Sequence, residues 1–152
     1  PRILIGKDTR QSGDMLEAVM NNYEENEFIV KAAAPADYRV KNFSFHKIKA
    51  KELSLELEKT PDIAKAVGAV KGDRKLIIFS AETDDLIENA RKKLAAKNAD
   101  MVVANDVTKE GAGFNVDTNI ATIITKAGKV YDYDIMPKSR LAEIILDHMH
   151  EL

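Results

Sequence analysis

Two short, wholly apolar runs, Leu76-Ile77-Ile78-Phe79 and Met101-Val102-Val103-Ala104, do most to limit what this chain can fold into. Each is too short to make a buried helix and too apolar for a strand with one wet face. Runs of this kind mark strands covered on both sides, the condition of a central parallel sheet. The segment Phe28 to Ala34 reads as a third buried strand, and Ile3-Leu4-Ile5 as a short one.

Helical spacing fills the intervals. Met15, Leu16, Val19, Met20 and Tyr23 predict a helix from about residue 13 to Asn26, with Ser12 as its cap. Thr60 before Pro61 is the preferred order of an N-cap and a first helical residue, and that helix is expected to run to about Val70. Thr83 and Asp84 open the next, which ends near Asn98 and buries Leu86, Ile87, Ala90 and Leu94. Leu53, Leu55 and Leu57 alternate with Ser54, Glu56 and Glu58, as a half-buried strand does. Asn119 to Thr125 and Lys129 to Ile135 flank Lys126-Ala127-Gly128, a hairpin pattern. Pro137 and Lys138 lead into a last helix carrying Leu141, Ile144, Ile145 and Met149. Residues 36–51 read as a long loop and 107–118 as a flap. The expected fold is α/β: a Rossmann-like, mostly parallel sheet with helices on both faces and an appended β-hairpin, one domain over residues 1–152.

Net charge is −2, which argues against bulk electrostatic binding of nucleic acid, so any anion site must be local. There is no cysteine, hence no disulfide, thiolate metal site or cysteine nucleophile, as fits a cytoplasmic protein. No apolar run is long enough to cross a membrane, and no signal-peptide pattern is visible. The chain begins Pro1-Arg2-Ile3 without an initiator methionine and is expected to be an N-terminally incomplete piece of a longer polypeptide.

Chemistry is expected beyond the carboxyl ends of the strands, where open α/β sheets bind ligands. In extended backbone Lys47, Lys49 and Lys51 would point the same way. Three like charges repel, a cost that phosphate would remove; lysines on an exposed edge also block unwanted strand pairing, and the residues alone leave both readings open. Asp62 in the first turn near Thr60 already complements the helix dipole, so a neutral base or ribose edge suits that turn better than a phosphate. On the helical wheel Lys93 and Lys97 fall about 20° to either side of Leu86. Both thus sit at the edge of the apolar stripe, where they either snorkel to water or reach an anion. The three histidines show no metal-ligand spacing, so no protein metal ligand is assigned. No P-loop or intact Gly-x-Gly-x-x-Gly is present, which disfavours a dinucleotide-binding oxidoreductase.

Six segments together resemble the phosphopantothenoylcysteine synthetase (phosphopantothenate–cysteine ligase) family. They are Ala33 to Arg39, Lys47 to Lys51, Thr60 to Ile63, Phe79 to Thr83, Asn89 to Leu94 and Ala104 to Val107. The likeness runs on through Gly111 to Asn119 and into the last helix, covering nearly all the chain from about Asp14. It implies ligation of 4'-phosphopantothenate to cysteine in coenzyme A biosynthesis, driven by CTP with Mg2+ through an acyl-cytidylate. It also implies a homodimer, and fusion in the parent protein to a phosphopantothenoylcysteine decarboxylase half that alone carries FMN. Lys47 is implied as the catalytic lysine, and Ala33, Asp37, Pro61, Asp62, Ile63, Ala64, Phe79, Lys93 and Lys97 as CTP-site residues. The family usually has valine where Pro35 stands, glycine where Ile78 stands and alanine where Ser80 stands. Its glycine-rich first strand-loop-helix, with a catalytic asparagine, has no counterpart here. The alternative expectation is therefore a non-catalytic nucleotide-binding or dimerisation domain.

Overall fold

The computed structural model describes residues 2–6, 12–42, 44–109, 111–112 and 116–152, with the side chains of 3–6 and 12–14 left aside. The elements in order are β1 (Ile3–Gly6), α1 (Ser12–Asn22), β2 (Phe28–Lys31), β3 (Tyr38–Val40), β4 (Leu57–Lys59) and α2 (Ile63–Val70). There follow β5 (Lys75–Glu82), α3 (Leu86–Ala96), β6 (Met101–Asp106), β7 (Thr118–Thr125), β8 (Val130–Pro137) and α4 (Lys138–Met149). The main sheet has six strands in the order β1-β2-β5-β6-β7-β8. The first four are parallel, and the β7–β8 hairpin continues the sheet in antiparallel pairing.

This order explains the layers. Each parallel connection steps to the next strand in the same direction, and right-handed crossovers that do so deposit their helices on one face. One core accordingly joins Met15 and Val19 of α1, Ile63 and Val67 of α2 and Ala90 of α3 to Ile29, Leu76 and Ile78. The opposite face is covered by α4, whose Leu141, Ile145 and Met149 pack on Val30, Ile77, Met101 and Ile123. Leu76, Ile77 and Ile78 are buried whichever way they point, as their unbroken apolar run requires.

Several boundaries differ from the sequence expectation. Helix α1 stops at Asn22 and the chain continues as a 3-10 turn over Tyr23–Glu25. The capping expected of Ser12 lies outside the described side chains, and part of the 107–118 flap lies outside the described residues. Thr60 does not cap α2. Asp62 does, accepting from the Lys65 amide at 3.1 Å, because the Thr60 hydroxyl is drawn back to the Ala36 carbonyl at 2.6 Å. Helix α3 begins at Leu86, after Asp85 in a left-handed conformation, and Ile87 is exposed rather than part of the buried stripe.

The largest correction concerns residues 36–57. The expected loop contains β3, and the expected strand through Leu53, Leu55 and Leu57 shortens to β4. The two pair only with each other, as an arm set apart from the main sheet. The leucines alternate, but no helix or sheet of the described residues covers them, and all three are more than half exposed.

At the amino edge of the sheet Lys71 and Asp100 form a buried ion pair at 2.9 Å. Asp100 also accepts the Leu76 amide at 2.8 Å, and Lys71 donates to the Arg74 carbonyl at 2.9 Å. The pair ties the turn before β5 to the start of β6.

Candidate functional site

Strand β2 is held on both sides, by β1 and by β5, and its last residue, Lys31, lies level with Gly6 and Ile78. Alternation puts Lys31 on the same face as Ile29, toward α2 and α3. The chain then crosses the carboxyl edge of the sheet through Pro35 to Asp37. There it is stitched to the approach of α2: the Thr60 amide donates to the Asp37 carbonyl at 2.9 Å, beside the Thr60–Ala36 bond. Asp62 faces two ways. One oxygen caps α2, and the other meets the Lys97 ammonium at 3.3 Å.

Lys97 stands at the end of α3, and Gly68 sets its position. A Cβ on Gly68 would lie 1.8 Å from the Lys97 carbonyl oxygen, so only glycine lets α2 and the end of α3 approach this closely. Asn98, in a left-handed conformation at φ 46°, completes the joint by donating to the Gly68 carbonyl at 2.9 Å.

These elements enclose a cleft of about 500 Å³ at the carboxyl edge. Asp37, Pro61, Asp62, Ile63 and Lys97, all expected from the sequence, line it together. Lys31, Lys59 and Lys65 line it as well and were not expected. Four lysines against two aspartates leave it electropositive in a chain of net negative charge. Burial pushes the Asp62 carboxyl upward, but the Lys65 amide and the Lys97 charge outweigh it and hold Asp62 below its ordinary range. Burial and the neighbouring Lys97 charge push the Lys31 ammonium below the usual lysine value.

The other expected residues are distributed differently. Ala33 and Ala64 are buried in the core beneath the cleft. Lys93 donates to Glu82 at 2.7 Å and to Ser80 at 2.8 Å, and the Ser80 hydroxyl donates to the same Glu82 oxygen. Glu82 is buried, so the Lys93 charge is already matched by a carboxylate at the end of β5. Phe79 alternates onto the α4 face and packs with the second core. Lys47 lies exposed in the connection between β3 and β4, outside the cleft lining. The signal that could have found Lys31 is a lysine closing the apolar run Phe28-Ile29-Val30 at the carboxyl end of a central strand.

The arrangement suits a polyanion held among lysines, with α2's first turn closed to phosphate by its own cap. Among the described residues no three histidine or acidic side chains cluster as a metal site. A divalent ion here would therefore come with the phosphates and water, with Asp37 the cleft carboxylate not engaged in an ion pair among the described residues. No helix of the described residues is long and apolar enough to cross a membrane.

The profile of the DNA/pantothenate metabolism flavoprotein C-terminal domain matches residues 7–152. The coenzyme A biosynthesis bifunctional protein CoaBC of Bacillus subtilis is 43% identical over 145 residues, 94% of this chain and 36% of that protein. The crystal structure of the C-terminal domain of a CoaBC protein superposes with a TM-score of 0.76 at 34% identity, covering 97% of this chain and 71% of the other. A Cab2 mutant in complex with phosphopantothenate-cysteine shares the fold, with a TM-score of 0.66 at 16% identity over 92% of this chain and 51% of that one. The chain spans roughly a third of the length of the curated relatives it matches. By its residues, its topology and these likenesses, the chain belongs to the DNA/pantothenate metabolism flavoprotein C-terminal domain family.

Proposed function

We propose that this chain is the nucleotide-binding and acyl-activating part of a phosphopantothenate–cysteine ligase in coenzyme A biosynthesis, with CTP as the activating nucleotide. The observation that carries the reading is the lysine-lined cleft at the carboxyl edge of the sheet, in a chain otherwise net negative. In the reaction the carboxylate oxygen of 4'-phosphopantothenate attacks the α-phosphorus of CTP. The bond to the bridging oxygen breaks and pyrophosphate leaves. The cysteine amine then adds to the acyl-cytidylate carbonyl, loses a proton, and CMP departs. Negative charge moves onto the leaving phosphates in the first step, and fixed ammonium groups around them stabilise it. Lys97 and Lys31, both in the cleft lining, are assigned that work, and the capped start of α2, Pro61 to Ala64, is assigned to a neutral part of the nucleotide. Mg2+ would supply further charge on the phosphates.

Lys47 is assigned the nucleotide step as a residue of the arm. The arm leaves the domain at Asp37 and returns at Thr60, both in the cleft wall, which supports that assignment. The arm also presents Tyr38, Ile48, Leu53, Leu55 and Leu57 to solvent, a surface suited to a second copy of the chain. We assign the homodimer contact to it. The protein is assigned to the cytoplasm, and FMN to the decarboxylase half of a fused parent. The full-length parent protein given CTP, Mg2+, phosphopantothenate and cysteine is expected to release pyrophosphate, and Lys47→Gln to reduce that release at least about tenfold. Binding of CTP without pyrophosphate release would instead support a non-catalytic nucleotide-binding domain.

A further inference from the structure

We infer that Lys31 is a binding residue for the phosphate chain of the nucleotide, an inference that rests on the nucleotide reading of the cleft. Lys97 and Lys93 are both near enough to act electrostatically on Lys31, and the three lysines differ in how they are engaged. Lys93 is matched by the buried carboxylate of Glu82 at 2.7 Å. Lys97 is tied to Asp62 at 3.3 Å. Lys31 makes no ion pair or hydrogen bond among the described residues, although it lines the cleft and is half-buried.

Its backbone gives it a further distinction. Lys31 ends a strand paired on both sides, so its Cα is fixed by the sheet, whereas Lys59 and Lys65 are exposed at the rim. A cation built on a rigid element and held by no ion pair among the described residues is costly to bury, and an anion bound beside it offsets that cost. Asp37 and Asp62 lie close enough to influence it, but Asp62 is committed to its cap and to Lys97. A phosphate oxygen supplies the missing partner, and a charge-assisted bond of that kind is among the stronger ones available to a side chain. The lowered affinity of Lys31 for its proton, caused first by burial and next by Lys97, is the electrostatic mark of the same deficit.

The test compares wild type with Lys31→Met, which keeps the apolar stem, and Lys31→Arg, which keeps the charge. Each is titrated calorimetrically with CTP and with inorganic tripolyphosphate. Lys31→Met is expected to weaken both ligands by about ten- to a hundredfold and Lys31→Arg to restore most of the loss. Wild-type affinity should fall as pH rises through the lowered Lys31 value, before free lysines titrate, because the ligand prefers the charged form. That early alkaline fall should be absent in Lys31→Met, which a merely structural role would not produce. Equal affinity of wild type and Lys31→Met overturns the assignment of Lys31 and leaves the nucleotide reading intact. Wild-type binding of tripolyphosphate but not CTP supports Lys31 and overturns the cytidine nucleotide. Binding of neither ligand overturns both.

Discussion

Replacing Gly68 with alanine tests how the cleft is held together. The new Cβ would meet the Lys97 carbonyl oxygen at 1.8 Å, whereas ordinary contact begins near 3.4 Å, so backbone must yield by about 1.5 Å. Neither side is a flexible side-chain end: one is the interior of α2 and the other the last carbonyl of α3's terminal turn. Overpacking of this kind costs about 1–3 kcal/mol. Alanine regains about 0.5–1 kcal/mol as a better helix former, so the net loss is expected near 1–2 kcal/mol. For a domain of this size that lowers Tm by about 3–8 °C. The bond from Asn98 to the Gly68 carbonyl loosens with it, and Lys97 is carried away from Asp62. CTP affinity should fall about fivefold or more, corresponding to about 1 kcal/mol. Differential scanning calorimetry with and without CTP reads both effects. A Tm equal to or above wild type would mean that propensity outweighs crowding, and the account of how α2 and α3 set the cleft would be wrong.

Three further outcomes are expected. Lys71→Met leaves the Asp100 carboxylate buried without its cation and should cost about 3–5 kcal/mol in urea unfolding; adding Asp100→Asn, which still accepts the Leu76 amide, should recover much of it. Asp62→Ala removes the α2 cap and should cost about 1 kcal/mol by thermal unfolding. Because Asp62's carboxyl is held below its ordinary range in the fold, its contribution is present above the ordinary carboxylate range and lost as pH falls through the lowered value, so wild type and Asp62→Ala should converge in stability there. Replacing Leu53 and Leu55 by serine should shift the protein from dimer to monomer in sedimentation at micromolar concentration while leaving Tm of the monomeric core unchanged, and an unaltered dimer would remove the arm from the interface.

The central strands were legible because burial on both faces leaves a mark in composition, as Leu76 to Phe79 and Met101 to Ala104 show. The edge position of Lys97 was legible as well, since helical phase depends on counting alone. What escaped depended on contacts distant in sequence. Thr60 has the composition of a cap, but Ala36, far back in the chain, claims its hydroxyl. Leu53, Leu55 and Leu57 have the alternation of a half-buried strand, but the surface that would cover them is not supplied by the described residues. Ile87 has helical phase but overhangs the edge of the core. Phe79 shares strand parity with Ile77, so its turn toward α4 follows from alternation once the strand start is known. Ser80, where the family usually has alanine, gives Lys93 and Glu82 a shared hydroxyl, a connection that no spacing rule announces.

The arm has a consequence for how such a protein responds to its own abundance. Its short ladder is reinforced by the exposed pairs Arg39–Glu58 and Lys41–Glu56, each at 2.6 Å, and such pairs contribute no more than about 1 kcal/mol apiece. A two-stranded ribbon of this size is marginal by itself. If the arm is the contact of the proposed homodimer, the order of its ribbon becomes a bimolecular quantity, set by how many copies are present, while the six-stranded sheet is built from one copy alone. Under the proposed ligase reading, protein concentration would then enter the rate twice, once as the number of sites and once through the fraction of lysine-bearing arms in place. Specific activity should therefore decline on dilution without any loss of folded protein.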